Sequence, residues 1–468
     1  MKKLSAIVLA ICFVLGSLGS AAAIDVKVKG NWHFSYGYYG NQSLYDVDGA
    51  DDMDAFQARM RTRTVIEFIA SETLSAMLHF EIGVGNYGQA GGFQLNTDGN
   101  NVKTKWMALD WTIPQTKTHI RMGLHRVALP SAVFGDNFVF VADAAGIAIN
   151  QEITPEVGIT AFWARPYDTS VTGTEKHFSN DEMDLFALMV PVKTDIIRVT
   201  PWAMVGFIGE NSGYNAPADG ANRLSIYQGR WVPTAARKGS SMAWWAGLSL
   251  ELPIVDPFIA KFEGMYGHQS NGTLGDTDFS QRGYFLAAQF GYKFDWGQAS
   301  VIGWYGSGDN NEADDRYGTI PVVSVDGGFA LGVPAFAGNR YLQRTSIVNE
   351  TGAGTWGLGF AFDNMSFIPN LTHGLRAFYF KGTNSADRIQ GSTYLYTFDS
   401  WSPNHDSYMV STDWGVSAMW TNTYKFNDNF HMGLDLGWTH LDLSHQRGSE
   451  QRDTSDQYMG VVSFGYSF

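Results

Sequence analysis

The last eleven residues, Tyr458 to Phe468, restrict what the chain can become more than any other stretch. In an extended strand Tyr458, Gly460, Val462, Phe464, Tyr466 and Phe468 share one face, and Met459, Val461, Ser463, Gly465 and Ser467 share the other. One face is aromatic and the other mostly small. Left as an unpaired edge in water, such a strand invites aggregation. A transmembrane barrel removes the edge by pairing the last strand with the first.

Residues 1–23 carry the pattern of a secretory signal: Lys2 and Lys3, the apolar run Leu4 to Leu18, and a small-residue cleavage site at Ala21-Ala22-Ala23. The mature chain is expected to start at Ile24 and to form one domain over 24–468. Cys12, the only cysteine, lies inside the apolar run. Disulfides, iron–sulfur clusters and thiol catalysis are therefore excluded from the mature chain. Ile11 is too large for a lipoprotein cleavage box. Without Lys2 and Lys3 the chain keeps 30 basic residues against 46 acidic ones, a balance that argues against nucleic acid as a partner. No later stretch approaches the roughly 18 apolar residues of a membrane helix. A membrane crossing would have to be made by strands.

The rest of the sequence reads as hairpins whose joints alternate between short and long. Short joints fall at Ala70-Ser71-Glu72, Pro114-Gln115-Thr116, Thr154-Pro155-Glu156, Lys193-Thr194-Asp195, Pro253 to Pro257, Asp295 to Gln298, Asn364 to His373 and Asn427-Asp428-Asn429. Long polar joints lie near 41–55, 86–101, 129–143, 167–182, 210–240, 268–280, 309–351, 384–411 and 444–455. Short turns on one side and long loops on the other are the pattern of an outer-membrane barrel. The expected fold is all-β, a transmembrane antiparallel β-barrel of about 18 strands, with 16 as the alternative. Alternation supports it. Leu74, Ala76, Leu78, Phe80, Ile82 and Val84 oppose Ser75, His79 and Glu81, and Met432, Leu434, Leu436, Trp438 and His440 oppose Gly433, Asp435, Gly437, Thr439 and Leu441. A soluble many-stranded sandwich would share the alternation. Long strands, aromatic residues near strand ends and the export signal together favour the membrane.

The stretch Phe56 to Ile69 carries most of the chemistry. Ala58, Met60, Thr62, Thr64, Ile66 and Phe68 form a lipid face, leaving Gln57, Arg59, Arg61, Arg63 and Glu67 to the lumen. An arginine in hydrocarbon costs about 2–4 kcal/mol near the midplane, so three on one face must meet water. The strand Lys117 to Val127 repeats the arrangement, with His119, Arg121 and His125 inward beside Gly123. Arg126 falls on the outer face, tolerable near the interface where its head can snorkel. The joint that follows, Ala128 to Asp143, holds Val133, Phe134, Phe138, Val139, Phe140 and Val141, far more apolar than the other loops. Such surface needs a partner. Folded into the barrel, this third long loop would pack on the wall and turn Asp136 and Asp143 toward the basic ladder. Opposed charges across a narrow aqueous gap set up a transverse field that favours polar solutes. The compatible structural role is that the arginines pair with Glu67, Glu81 and neighbouring carboxylates, with His79 beside them, to hold the lumen in shape.

Other candidates carry less. Asp46 to Asp54 is rich in carboxylates, but Gly49 comes too early for a calcium loop; a solvated acidic loop, bridged by divalent ions to lipopolysaccharide, fits it better, and Asp309 to Asp315 likewise. His405-Asp406-Ser407 contains hydrolase-type residues, but three adjacent residues do not make a triad. No catalytic, metal or cofactor site is expected. The tryptophans read as an interfacial girdle, with Trp202 a candidate for the lumen.

The stretches ARMRTRTVIEFIASETLSAMLHFEIG and KWMALDWTIPQTKTHIRMGLHRVALPSAVFGD, the opening VKVKGNWHFSYG and the terminal Phe together resemble the homotrimeric outer-membrane porins of sulfate-reducing, Desulfovibrio-type bacteria. The likeness is best over the first 165 residues and the last strand. The terminal Phe also resembles the assembly signal of bacterial outer-membrane barrels. What the resemblance implies is a trimer of barrels in a Gram-negative outer membrane, each passing ions and small hydrophilic solutes without catalysis. Arg59, Arg61, Arg63, Arg121 and the loop from Pro130 to Asp143 would line the pore. The alternative is a solute-selective channel for small anions or sugars, for which loop 309–351 offers room. Weak selectivity, slightly anionic, is expected because local lumen charge outweighs loop charge screened over about 8–10 Å. Histidines at 119 and 125 add an expected change in conductance or selectivity near pH 6.

Overall fold

The computed structural model describes residues 24–41, 54–89, 93–95, 102–168, 181–209, 212, 237–238, 240–274, 277–310, 316–325, 329–336, 352–386, 409–442 and 456–468. The signal segment 1–23, the acidic stretches apart from Asp54, Asp309 and Asn310, and His405-Asp406-Ser407 lie outside them.

Eighteen antiparallel strands form the wall. In chain order they are β1 (Asp25–Gly40), β2 (Ala55–Ser71), β3 (Leu74–Asn86), β4 (Val102–Thr112), β5 (Thr118–Ala128), β6 (Phe140–Glu152), β7 (Gly158–Asp168), β8 (Glu182–Met189), β9 (Arg198–Ile208), β10 (Ser241–Glu251), β11 (Phe258–Leu274), β12 (Thr277–Phe294), β13 (Gly297–Gly306), β14 (Thr355–Ile368), β15 (Leu371–Gly382), β16 (Trp414–Lys425), β17 (Phe430–Asp442) and β18 (Gln457–Ser467). Most exceed the roughly 9–11 tilted residues needed to cross a bilayer. Closure is made by β1 and β18 in register from Asn31 opposite Ser467 to Gly40 opposite Tyr458. Beyond them Gly30 N donates to the Phe468 carbonyl at 2.9 Å and Phe468 N donates back at 3.0 Å. The terminal strand therefore has both edges paired.

Eight short turns lie at one end, and eight of the nine connections at the other are longer, close to what the joint pattern predicts. Two boundaries differ. The joint expected at 364–373 shrinks to Pro369-Asn370, because β14 continues to Ile368 through two register shifts against β15. The long joint expected at 268–280 is instead a tall hairpin, with β11 and β12 paired up to Leu274 and Thr277.

Outward alternation holds as expected: Met107, Leu188, Leu248, Leu286 and Leu358 are all exposed. The inner face is less uniform. From β1 to β5 it is polar, but from β8 to β18 it carries Met183, Leu185, Trp202, Trp245, Phe285, Trp304, Phe378, Phe380, Met419 and Val461, all buried. Polar residues facing inward all round is thus corrected. These side chains are covered by two inward connections. In the first, residues 129–139, Phe138 packs edge-on against Phe285 at 4.4 Å and Phe134 against Phe329 at 4.9 Å. In the second, residues 316–325 and 329–336, Phe336 meets Phe380 at 4.8 Å and Trp304 at 5.6 Å. Burying a Phe stabilises by roughly 1.5–3 kcal/mol relative to leaving it exposed, so both segments are held in the barrel by the hydrophobic effect. They also pair with each other: Val323 N donates to the Val139 carbonyl at 2.8 Å, and Ser324 and Val325 run parallel to Phe140 and Val141.

Candidate functional site in the lumen

Strand register assembles the basic face rung by rung. Asn31 of β1, Arg63 of β2 and Glu81 of β3 are opposite one another; next come His33, Arg61 and Gly83, then Ser35, Arg59 and Asn86. The arginines are two residues apart, so their heads step along the wall about 6–7 Å at a time. Gln57 continues the same rail opposite Gly37, and Glu67 ends it opposite Lys27. The three arginines of β2 are brought together as the alternation requires.

Their partners are only partly those expected. Arg63 Nε donates to Glu81 Oε2 at 2.6 Å, whereas Glu67 is taken by Lys29 at 2.5 Å. Arg59 is 8% exposed, and its Nε and Nη1 have no hydrogen-bond partner among the described residues. His79 is buried edge-on against Trp106 at 4.5 Å. Arg121 stands apart from the β2 ladder: its Nε and Nη2 grip Asp110 at 2.8 and 3.1 Å, and His119 Nε2 lies 3.0 Å from the same carboxylate. Asp110 carried no weight in the sequence reading, although a carboxylate on the strand preceding Arg121 is the partner register would supply.

The inward fold of the third long loop matches expectation, but its acids point elsewhere. Strand β6 already begins at Phe140, so the loop proper is 129–139. Asp136 pairs with Arg126. Asp143 accepts from Trp106 Nε1 at 2.6 Å and pairs with Lys105. The outer-face Arg126 thus finds a carboxylate, and the contacts made by Asp136 and Asp143 are with these residues rather than with the ladder. His125 is 2% exposed, with Nδ1 2.9 Å from the Arg126 carbonyl. Its expected place on an open aqueous surface is corrected to a buried one.

What positions the loop is a residue the sequence reading did not single out. Glu263 of β11, 5% exposed, accepts on Oε2 from Ser131 Oγ at 2.5 Å, Ala132 N at 2.9 Å and Val133 N at 3.1 Å. The second inward segment is anchored similarly. Arg376 Nη1 donates to the Leu331 carbonyl at 2.9 Å while Nε and Nη2 hold Asp363 at 2.9 and 3.0 Å. Trp245 Nε1 donates to the Pro321 carbonyl at 2.8 Å, and Ala335 N to Ser417 Oγ at 3.1 Å. Trp202 does face inward, joined there by Trp245 and Trp304, but all three are buried and form no exposed aromatic track. Among the described residues no three His, Cys, Asp or Glu side chains gather as a metal site would need.

A closed wall of eighteen strands, an apolar belt outside and inward-folded loops define the architecture of an outer-membrane porin. Its solved counterparts are similar in fold and distant in sequence. OprD from Pseudomonas aeruginosa aligns with a TM-score of 0.52 at 12% identity over 95% of this chain and 94% of its own. The outer membrane protein OpdK from the same organism aligns at 0.50 and 10% identity over 95% and 99%. No protein-family model and no curated relative matches the sequence.

Proposed function

We propose that this chain is a porin of a Gram-negative outer membrane, a water-filled channel through which ions and small hydrophilic solutes diffuse passively, with no catalytic step. The observation that carries it is the division of the lumen: a charged, partly exposed face on β1–β5 runs beside an apolar partition made by two loops. Water and solutes follow the charged face, because the partition offers them no hydrogen bonds. Arg61 and Arg63 flank the narrow part, and the loop 129–139 sets its width. The expected selectivity is weak and slightly anionic. The likeness to Desulfovibrio-type porins in the stretches quoted above supports membership of that family and a homotrimer embedded in lipid and lipopolysaccharide.

Two inward segments where one was expected favour a second reading, a narrower, solute-selective channel for small anions or sugars. Single-channel current from the detergent-extracted protein in a planar bilayer separates the two. A large step that closes in three equal substeps at high voltage supports the open trimeric pore. A small step blocked by one class of solute supports the selective channel, and no conductance at all overturns both.

A further inference from the structure

The outer surface carries a second built feature, at the long-loop end of β11–β13. Strand β13 stops at Gly306, opposite Phe285, while β12 runs on to Thr277. The wall is therefore notched above β13. Residues 316–317 close the inner side of the notch by pairing parallel to Ser280 and Gln281. What remains is an open groove of about 710 Å³, with Arg282 and Tyr284 on one side, Tyr305 below, and Thr383, Ser385 and Ser411 across from them. That volume is in the range of small-molecule sites.

The chemistry of the groove is unlike the leucine and phenylalanine belt beneath it. Tyr284 and Tyr305 are outward-facing, 42% and 43% exposed, and stack at 5.9 Å with 20° between their planes. Tyr266 and Trp244, 5.4 Å apart, extend the aromatic surface. Tyrosine and tryptophan rings in this position mark the boundary between hydrocarbon and headgroups. Arg282 projects among them from the register position opposite His268 and has no ion-pair partner among the described residues. Among the described residues the one carboxylate lining the groove, Asp309, is buried with Oδ1 accepting from Gly318 N at 3.1 Å, and so is turned to backbone. A guanidinium held at the headgroup level beside two stacked phenol rings is complementary to a phosphate flanked by sugar rings: the fork binds phosphate oxygens, and the ring faces take the sugars.

We propose that this groove binds the headgroup of a phosphorylated glycolipid, the lipid A type of the outer leaflet, with Arg282 on its phosphate. The choice of leaflet rests on the outer-membrane reading, in which the long loops face outward. Native mass spectrometry of the purified full-length protein, titrated with bis-phosphorylated lipid A, tests it. Wild type should keep lipid A through detergent exchange, and Arg282→Glu should lose it by about tenfold, the effect of one charge-assisted contact. Dephosphorylated lipid A and phosphatidylglycerol should be retained no better by wild type than by the variant. Equal retention of lipid A by wild type and Arg282→Glu overturns the site. So does retention of the dephosphorylated form or of phosphatidylglycerol by wild type as strong as that of bis-phosphorylated lipid A, or a change in oligomer mass in place of lipid loss. Single-channel current of the same two proteins reports the channel separately, since Arg282 lies outside the lumen.

Discussion

Individual side chains do two separable jobs in this barrel, facing the aqueous path and holding the loops that narrow it. Glu263 belongs to the second. Three donors from residues 131–133 converge on one buried carboxylate oxygen, and hydrogen bonds to a charged group contribute about 1.5–3 kcal/mol each. Glu263→Ala should therefore free the tip of the loop without opening the wall, raising open-channel current noise and the mean conductance up to about twofold. Glu263→Gln, which still accepts one such bond, should fall between. Identical noise in all three proteins would show that aromatic packing alone fixes the loop. Asp456 does an analogous job at the seam. Its carboxylate accepts from His440 Nδ1 at 2.7 Å, Trp438 Nε1 at 3.0 Å and the Tyr458 hydroxyl at 3.2 Å, and its carbonyl accepts from Asn41 Nδ2 at 3.1 Å. Burial pushes this carboxyl up, but the donors from His440, Trp438 and Tyr458 outweigh it, and it sits below the usual carboxylate range. A depressed folded-state value means stability that is complete above about pH 4 and lost as pH falls through that depressed value. Amide-exchange protection at residues 457–459, corrected for intrinsic rates, should be flat between pH 7 and 5 and fall on further acidification. In Asp456→Asn it should already be low at pH 7, and a pH-independent profile in wild type would rule the mechanism out.

At the level of strands and loops, period-two patterning made the wall legible. Arg59, Arg61 and Arg63 could face only water, and the alternation of short and long joints gave the strand number. What it did not give was the inner face of β8–β18. Leu185 and Ala187 alternate with Phe186 and Leu188, and a stretch apolar on both faces does not announce that something will cover its inner side. The cover comes from residues 316–325 and 329–336, far away in sequence, and only register and close approach reveal it. Gly283 is where that approach is tightest. A Cβ built there would lie 2.3 Å from Ile320 N and 2.4 Å from Ser307 Oγ, distances no pair of heavy atoms tolerates without a shift. Strand β12 is fixed by its neighbours on both sides, so the segment must move. Gly283→Ala should loosen residues 316–325 and raise conductance and noise. Gly264→Ala, whose new methyl meets only the flexible end of Leu286 at 3.1 Å, should leave both unchanged. Equal behaviour of the two variants would mean that the second segment does not limit the path. Asp136 and Asp143 meet partners other than the ladder for a related reason: alternation does not say that Arg126 and Lys105 will reach them first.

The whole molecule is a barrel with two inward segments packed against one side of its lumen, and that decides how its charge should act. The chain is acidic overall, at −14, yet the inner face of β2 carries three guanidinium groups, Arg59, Arg61 and Arg63. Charges exposed on the loops are screened within about 8–10 Å at physiological salt, so the ladder should govern selectivity. If current follows the β1–β5 face, replacing Arg61 and Arg63 together by Gln should move the reversal potential in a salt gradient toward cations while the barrel still folds. The same chemistry applied across the lumen should do something different. Arg376 and Asp363 form a pair whose third contact, to the Leu331 carbonyl, holds the partition. Arg376→Gln with Asp363→Asn keeps the net charge and removes that hold. It should raise open-channel noise and leave the reversal potential where it was. A reversal potential that ignores the ladder but follows the Arg376–Asp363 pair would place the path on the opposite side of the barrel. The partition would then have to be a gate that opens in the membrane, and the hydrophobic contacts of Phe138, Phe329 and Phe336 would describe its closed state.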